Sequence, residues 1–240
     1  MAAPNDDVPP PLERVSSRQQ HLSASKQGAD SLIGLRADDS KLHKLIAELQ
    51  SRVAPQQAQS TLAPQIKSYS DIVYLNYHAI GASCQLQPEQ GYRPPSTAVS
   101  LADLDLERLS VCAVDIYNHE AKHNQLDAKK KRPAAHAEYA AWPAYPVSIT
   151  CPAREGDQQP TTLDVLPQTV GRDFVETLGE PDRKGGGEGS IGIWAEWTNL
   201  GVLAEFASSG LKAWDHGAQA QWTVLTLFRK GEARGQDTDE

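Results

Sequence analysis

Two stretches of this chain read alike. Tyr74–Leu86 (YLNYHAIGASCQL) and Trp194–Phe206 (WAEWTNLGVLAEF) align without a gap. Tyr74 falls on Trp194, Asn76 on Glu196, Tyr77 on Trp197, Ile80 on Leu200, Gly81 on Gly201, Gln85 on Glu205 and Leu86 on Phe206. A shared glycine and two aromatics three residues apart exceed what apolar alternation alone gives any two hairpins. Each stretch follows an amphipathic helix signal. Leu42, Leu45, Ile46 and Leu49 form one face over 38–50, and Val170, Phe174, Val175 and Leu178 form one over 169–178. Each is followed by a further strand, Val111–Tyr117 or Trp222–Phe228. The order helix, strand, strand, strand therefore occurs twice, and a repeat of this kind constrains the fold more than any single element. One helix on three strands buries little apolar surface, whereas two such units sharing a sheet or an interface bury enough.

The expected fold is α+β, with two repeated helix–β-β-β units and antiparallel sheet. Residues 1–37 are expected to be a disordered tail, 38–118 the first unit and 119–146 a basic, Pro- and Ala-rich linker. Residues 147–230 make the second unit with a hairpin before it, and 231–240 a charged tail. The loops are placed at 51–67, rich in Gln, Ala, Ser and Pro, and at the glycine-rich 182–190. Strand alternation assigns the faces. Val73, Leu75 and Tyr77, with Ile193, Ala195 and Trp197, point to the helices. Tyr74, Asn76, Trp194 and Glu196 lie on the opposite face, which either contacts a partner or packs beneath a loop.

The helix ending in Leu178-Gly179-Glu180-Pro181, a loop, and then the hairpin W-x-E-W-x-x-L-G-V-x-x-E-F resemble the helix-plus-three-strand unit of the beta-lactamase inhibitor protein and BamE-like families. The aspartate-led aromatic strand with its turn glycine also resembles the phagophore assembly factor family. The likeness covers about 60 residues of the second unit and about 45 of the first. It implies a non-enzymatic binding or scaffolding protein, tied to membrane trafficking or autophagy.

Charge narrows the partners. Thirty-one acidic against 23 basic residues leave a net charge of −8, which disfavours nucleic acid and anionic membrane as general ligands. No apolar run is long enough for a membrane-spanning helix. The first residues carry no secretory signal, and Cys84, Cys112 and Cys151 are widely spaced without a CxxC pair. A cytoplasmic protein is expected; the basic run Lys129–Arg132 leaves the nucleus open and otherwise reads as a solvated loop.

Two segments could carry chemistry. His119-Glu120-Ala121-Lys122-His123 matches H-E-x-x-H, in which histidines four apart on a helix bind zinc and the glutamate acts as base. Glu138, His136 or Glu155 would supply the third ligand. The polar sequence after the motif instead suits an incidental match in a loop. Arg183, Lys184 and the glycines through Gly187 could cradle an anion or small molecule, or simply give a flexible approach to the hairpin. The favoured function is a soluble intracellular adaptor with no cofactor. It would contact a protein partner through Tyr74, Asn76, Trp194 and Glu196, with Arg183 and Lys184 at the rim. The alternative is a zinc hydrolase using His119, His123 and Glu120.

Overall fold

A computed structural model describes residues 29–53, 63–121, 138–153, 159–187 and 192–233. The helices are α1 (Ser40–Val53), α2 (Gly171–Leu178) and α3 (Ala213–Gly217). The strands of the first half are β1 (Gln65–Ser68), β2 (Val73–Tyr77), β3 (Ala82–Pro88) and β4 (Leu109–Tyr117). Those of the second half are β5 (Val147–Cys151), β6 (Thr161–Val165), β7 (Arg183–Gly185), β8 (Gly192–Trp197), β9 (Val202–Ser209) and β10 (Trp222–Phe228). Mixed helices and antiparallel sheet make the fold α+β, as expected. β5 and β6 pair with each other. The other eight strands form one sheet in the order β1-β2-β3-β4-β10-β9-β8-β7.

Read from either edge, this sheet runs inward through a short edge strand, a hairpin and a central strand. Four strands, not three, thus come from each half. β1 and β7 fall in the segments expected to be loops. They are only four and three residues long, too short to show alternation.

The hairpins β2–β3 and β8–β9 turn in the same way. Tyr77 (φ −95°, ψ 73°) and Trp197 (φ −106°, ψ 82°) each lead into a three-residue 3₁₀ turn. Gly81 (φ 61°, ψ 37°) and Gly201 (φ 68°, ψ 41°) end these turns in the left-handed region. The carbonyl of Gly81 accepts from Tyr117 N and that of Gly201 from Phe228 N, both at 2.9 Å. This fixes the same register between each hairpin and its central strand.

One face of the sheet carries the core. Leu75, Cys84, Val114, Ile116, Leu225, Leu227, Ala204 and Ala195 follow one another across the strands and are all buried. Leu42, Ile46 and Leu49 of α1 and Phe174 and Leu178 of α2 join the same core cluster, as do Val147, Ile149, Leu163 and Val165 of the β5–β6 hairpin. Helices and hairpin therefore form a second layer on this face. Ala29, Leu32 and Ala37 are buried in that core too, and Gly34 N donates to Val111 O at 2.8 Å. Residues 29–37 thus belong to the folded body rather than to the expected tail; residues 1–28, the rest of that tail, lie outside the described residues.

A Cβ on Gly81 would run into the carbonyl of Ala140, and one on Gly201 into that of Phe228. Gly91, also left-handed at φ 73°, has nothing within 4 Å. Gly81→Ala and Gly201→Ala are expected to cost about 2 kcal/mol each through strain plus collision. Gly91→Ala should cost only about 1 kcal/mol, the backbone penalty alone. Urea midpoints for the three variants check this, and equal losses would remove the close approach as a cause.

Candidate functional site

The alternation that buries Leu75 and Ala195 turns every second residue to the other face of the sheet. Tyr74 and Asn76 of β2, Ser83 and Gln85 of β3, and Asp115 and Tyr117 of β4 stand there, continued by Thr226, Glu205, Trp194, Glu196 and Arg183. The faces are thus those expected from sequence.

Asp115 and Thr226 lie opposite each other where β4 meets β10. The Asp115 carboxylate accepts from Thr226 Oγ1 and from Gln85 Nε2, each at 2.8 Å. Donors from both halves therefore meet on one buried acid. Beside it opens a cavity of about 250 Å³, lined by Gln85, Asp115, Tyr117, Glu205, Val224 and Thr226. Burial raises the pKa of Glu205 above the ordinary glutamate value, and the Asp115 charge pushes it the same way. Burial, then the same charge, also raises the pKa of Tyr117. The carboxyl groups of Asp115 and Glu205 thus line one partly dry site.

In the first half the linker supplies a wall. The ring of Tyr139 stacks on Tyr117 at 3.7 Å, and its hydroxyl donates to Asn76 Oδ1 at 2.8 Å. Asn76 Oδ1 also accepts from Ser83 Oγ at 2.9 Å. Asn76 is 4% exposed, so it positions Tyr139 rather than meeting solvent. A groove of about 520 Å³ runs past this point, bounded by Lys67, Tyr69, Tyr74, His78, Tyr117 and Tyr139. Tyr69 stands edge-on to Tyr74 with centroids 6.1 Å apart. Tyr139 was not singled out from sequence because it sits in an Ala-rich stretch without periodicity.

In the second half Glu196 is completely buried. It accepts from Thr198 Oγ1 at 2.7 Å and pairs with Arg183 Nη1 at 3.4 Å. The Arg183 guanidinium also lies 5.9 Å from the centroid of the half-buried Trp194 ring. Asn76 and Glu196, expected as contact residues, are therefore supports beneath the surface. Lys184, next along β7, points to the helix face, where its ammonium sits 5.7 Å from the Trp214 ring. A strand sends neighbouring residues to opposite sides, so Arg183 and Lys184 do not form one anion cradle.

His119 and Glu120 lie on a turn after β4, with Glu120 N donating to Asn118 Oδ1 at 3.1 Å. Lys122 and His123, the third-ligand candidates His136 and Glu155, and the run Lys129–Arg132 fall outside the described residues; Glu138 is exposed at the groove rim. Among the described residues no three His, Cys, Asp or Glu side chains converge to hold a metal. Cys84, Cys112 and Cys151 are free thiols, and burial, with the Asp115 charge, pushes Cys84 up to about 12, which leaves it unreactive.

A raised carboxyl pKa means that the folded state holds the proton more tightly than the unfolded one. Its stabilising effect is full below the ordinary glutamate value of 4.5 and is lost as pH rises through the raised value. Glu205→Gln removes this loss. The variant is expected to melt higher than wild type at neutral pH and to show a flatter dependence of Tm on pH above 4.5. Parallel curves would place Glu205 in water.

Compared with known proteins, the chain matches no family model, no curated protein and no solved structure.

Proposed function

We propose that this chain is a non-enzymatic binding protein that takes a protein partner on the open sheet face. The partner inserts a Lys or Arg side chain beside Glu205, and an adjoining segment lies along the tyrosine groove. The observation that carries this reading is a mismatch between equivalent positions. Gln65 faces Asn76 across β1–β2, and Arg183 faces Glu196 across β7–β8. Where an acid replaces the amide at Glu196, an arginine replaces its neighbour and balances it. Glu205 likewise stands in the place of Gln85, yet among the described residues no cation pairs with it. A basic side chain from outside would supply the missing charge, in a site dry enough to make the pair worth more than a surface ion pair.

The tyrosines fit this role. Tyr69 and Tyr74 offer broad, stiff contact area at low entropic cost, and Tyr139 and Tyr117 are already fixed by stacking. The net charge of −8 favours a basic partner at long range. The matching turns and mirrored strand order support descent of the two halves from one duplicated helix-and-strand unit. The three free thiols support a reducing compartment, cytosol or nucleus. Nothing in the described half of the H-E-x-x-H segment favours the zinc-hydrolase reading.

Partners captured from a lysate of the source cells and identified by mass spectrometry would be purified and titrated by calorimetry. Glu205→Lys and Tyr69→Ala are each expected to weaken binding at least tenfold, about 1.4 kcal/mol. Val175→Lys, on the helix face, should leave it unchanged. Loss with the Val175 variant alone would overturn the assignment of the face.

A further inference from the structure

We propose that the opposite, helix-bearing side of the second half holds a separate binding site for a small uncharged aromatic molecule. The cavity lies between α2 and α3, has a volume of about 380 Å³, and is bounded by Val175, Ile193, Ala195, Trp197, Phe206 and Trp214. That volume is within the range of small-molecule sites. It is independent of the open-face reading, since none of these side chains borders the cavities there.

The hollow comes from the sheet floor. Ala195 and Ala204 pair across β8–β9, whereas the matching pair across β2–β3 is Leu75 and Cys84. Both positions are smaller in the second half. The helix above is shorter as well, eight residues in α2 against 14 in α1. In the first half Leu75 is 2% exposed, within the core that α1 joins through Leu42, Ile46 and Leu49. In the second half Val175, 37% exposed, and Trp214, 45% exposed, line the cavity instead. Exposed apolar side chains around an unfilled floor are costly unless something covers them.

The walls select the ligand. Trp197 is held by a hydrogen bond from Nε1 to Gly179 O at 2.8 Å and by stacking on Phe174 at 5.8 Å. Phe206 meets the same Phe174 edge-on at 5.6 Å. Two rings are thus fixed, and Trp214 closes the mouth as a third. Three ring walls favour a planar aromatic guest over an aliphatic chain. Among the buried side chains of the lining, Ile193, Ala195, Trp197 and Phe206, the one polar atom is Trp197 Nε1, which is already bonded. At the mouth Arg172 and Lys184 are balanced by Glu176 and Glu180, all exposed, so neither sign of charge is favoured. A charged guest would lose hydration without gaining a matched partner.

The test uses 1-naphthol, with 1-naphthoate and 1-naphthylmethylammonium as charged analogues. Each is titrated into the full chain while the indole N–H signals of Trp197 and Trp214 are followed by NMR. Saturable binding of 1-naphthol that shifts both signals is expected, with both analogues at least tenfold weaker. Ala195→Leu, which restores the first half's side chain, should abolish binding without lowering Tm. Trp214→Ala, at an exposed position, should weaken it at least fivefold and keeps the test valid if the leucine disturbs folding. The proposal fails if 1-naphthol does not saturate, if a charged analogue binds as tightly, or if both variants bind like wild type. It also fails if only a captured protein partner perturbs Trp214, since the groove would then be a protein-docking surface.

Discussion

The pairing of β4 with β10 is the contact on which the rest of the molecule depends. Each half alone brings only four strands of the sheet under one or two helices, too little to bury a sizeable core. Joined at Asp115–Thr226, the halves share a continuous apolar row of Val114, Ile116, Leu225 and Leu227, all at most 5% exposed. Asn118, just past β4, fastens the same seam from its end. Its Nδ2 donates to Trp222 O and to Pro167 O, both at 2.8 Å, tying the end of β4 to β10 and to the approach to α2.

A seam of this kind must be specific as well as strong. A slip of one residue between β4 and β10 would turn every side chain on one half to the wrong face. The buried Asp115 opposes that slip. It accepts from Gln85 of its own half and from Thr226 across the seam, and any other β4–β10 register takes the Thr226 donor away from this buried carboxylate. Beside burial, the larger cause, the same acid raises the pKa of Glu205 and so shapes the candidate site. Register and binding site thus draw on one residue.

Most of the frame was legible because it rests on periodicity. The apolar periods of α1 and α2, the glycine that ends α2 and the alternation along the hairpins β2–β3 and β8–β9 each leave a pattern over five or more residues. Face assignment followed from alternation alone. What alternation does not encode is cover: nothing in Y-x-N-Y or W-x-E-W says that Tyr139 lies over Asn76 or that Arg183 lies over Glu196. Those covers come from short segments, a linker and a three-residue edge strand, whose conformation is set by the sheet they meet. The division of Arg183 from Lys184 was missed for the same reason, since a segment read as loop carries no expectation of sides. Residues 29–37 escaped because a single 3₁₀ turn with two buried residues, Ala29 and Leu32, has no period to detect.

The differences between the halves say more about function than their likeness does. Where both halves keep a residue type, as at Gly81 and Gly201 or Tyr77 and Trp197, the position serves the turn or the core. Where they part, one change follows another across the strand. Glu196 stands where the first half has Asn76, and Arg183 where it has Gln65; Ala195 stands where it has Leu75, and Ala204 where it has Cys84. The first set moves charge onto the open face of the second half, and the second set removes volume beneath α2. Both leave the strand register intact, because register is held at the seam and not at these positions. A sheet fastened through its middle can therefore change its outer strands on either face without losing its fold, and both proposed sites include residues of those strands.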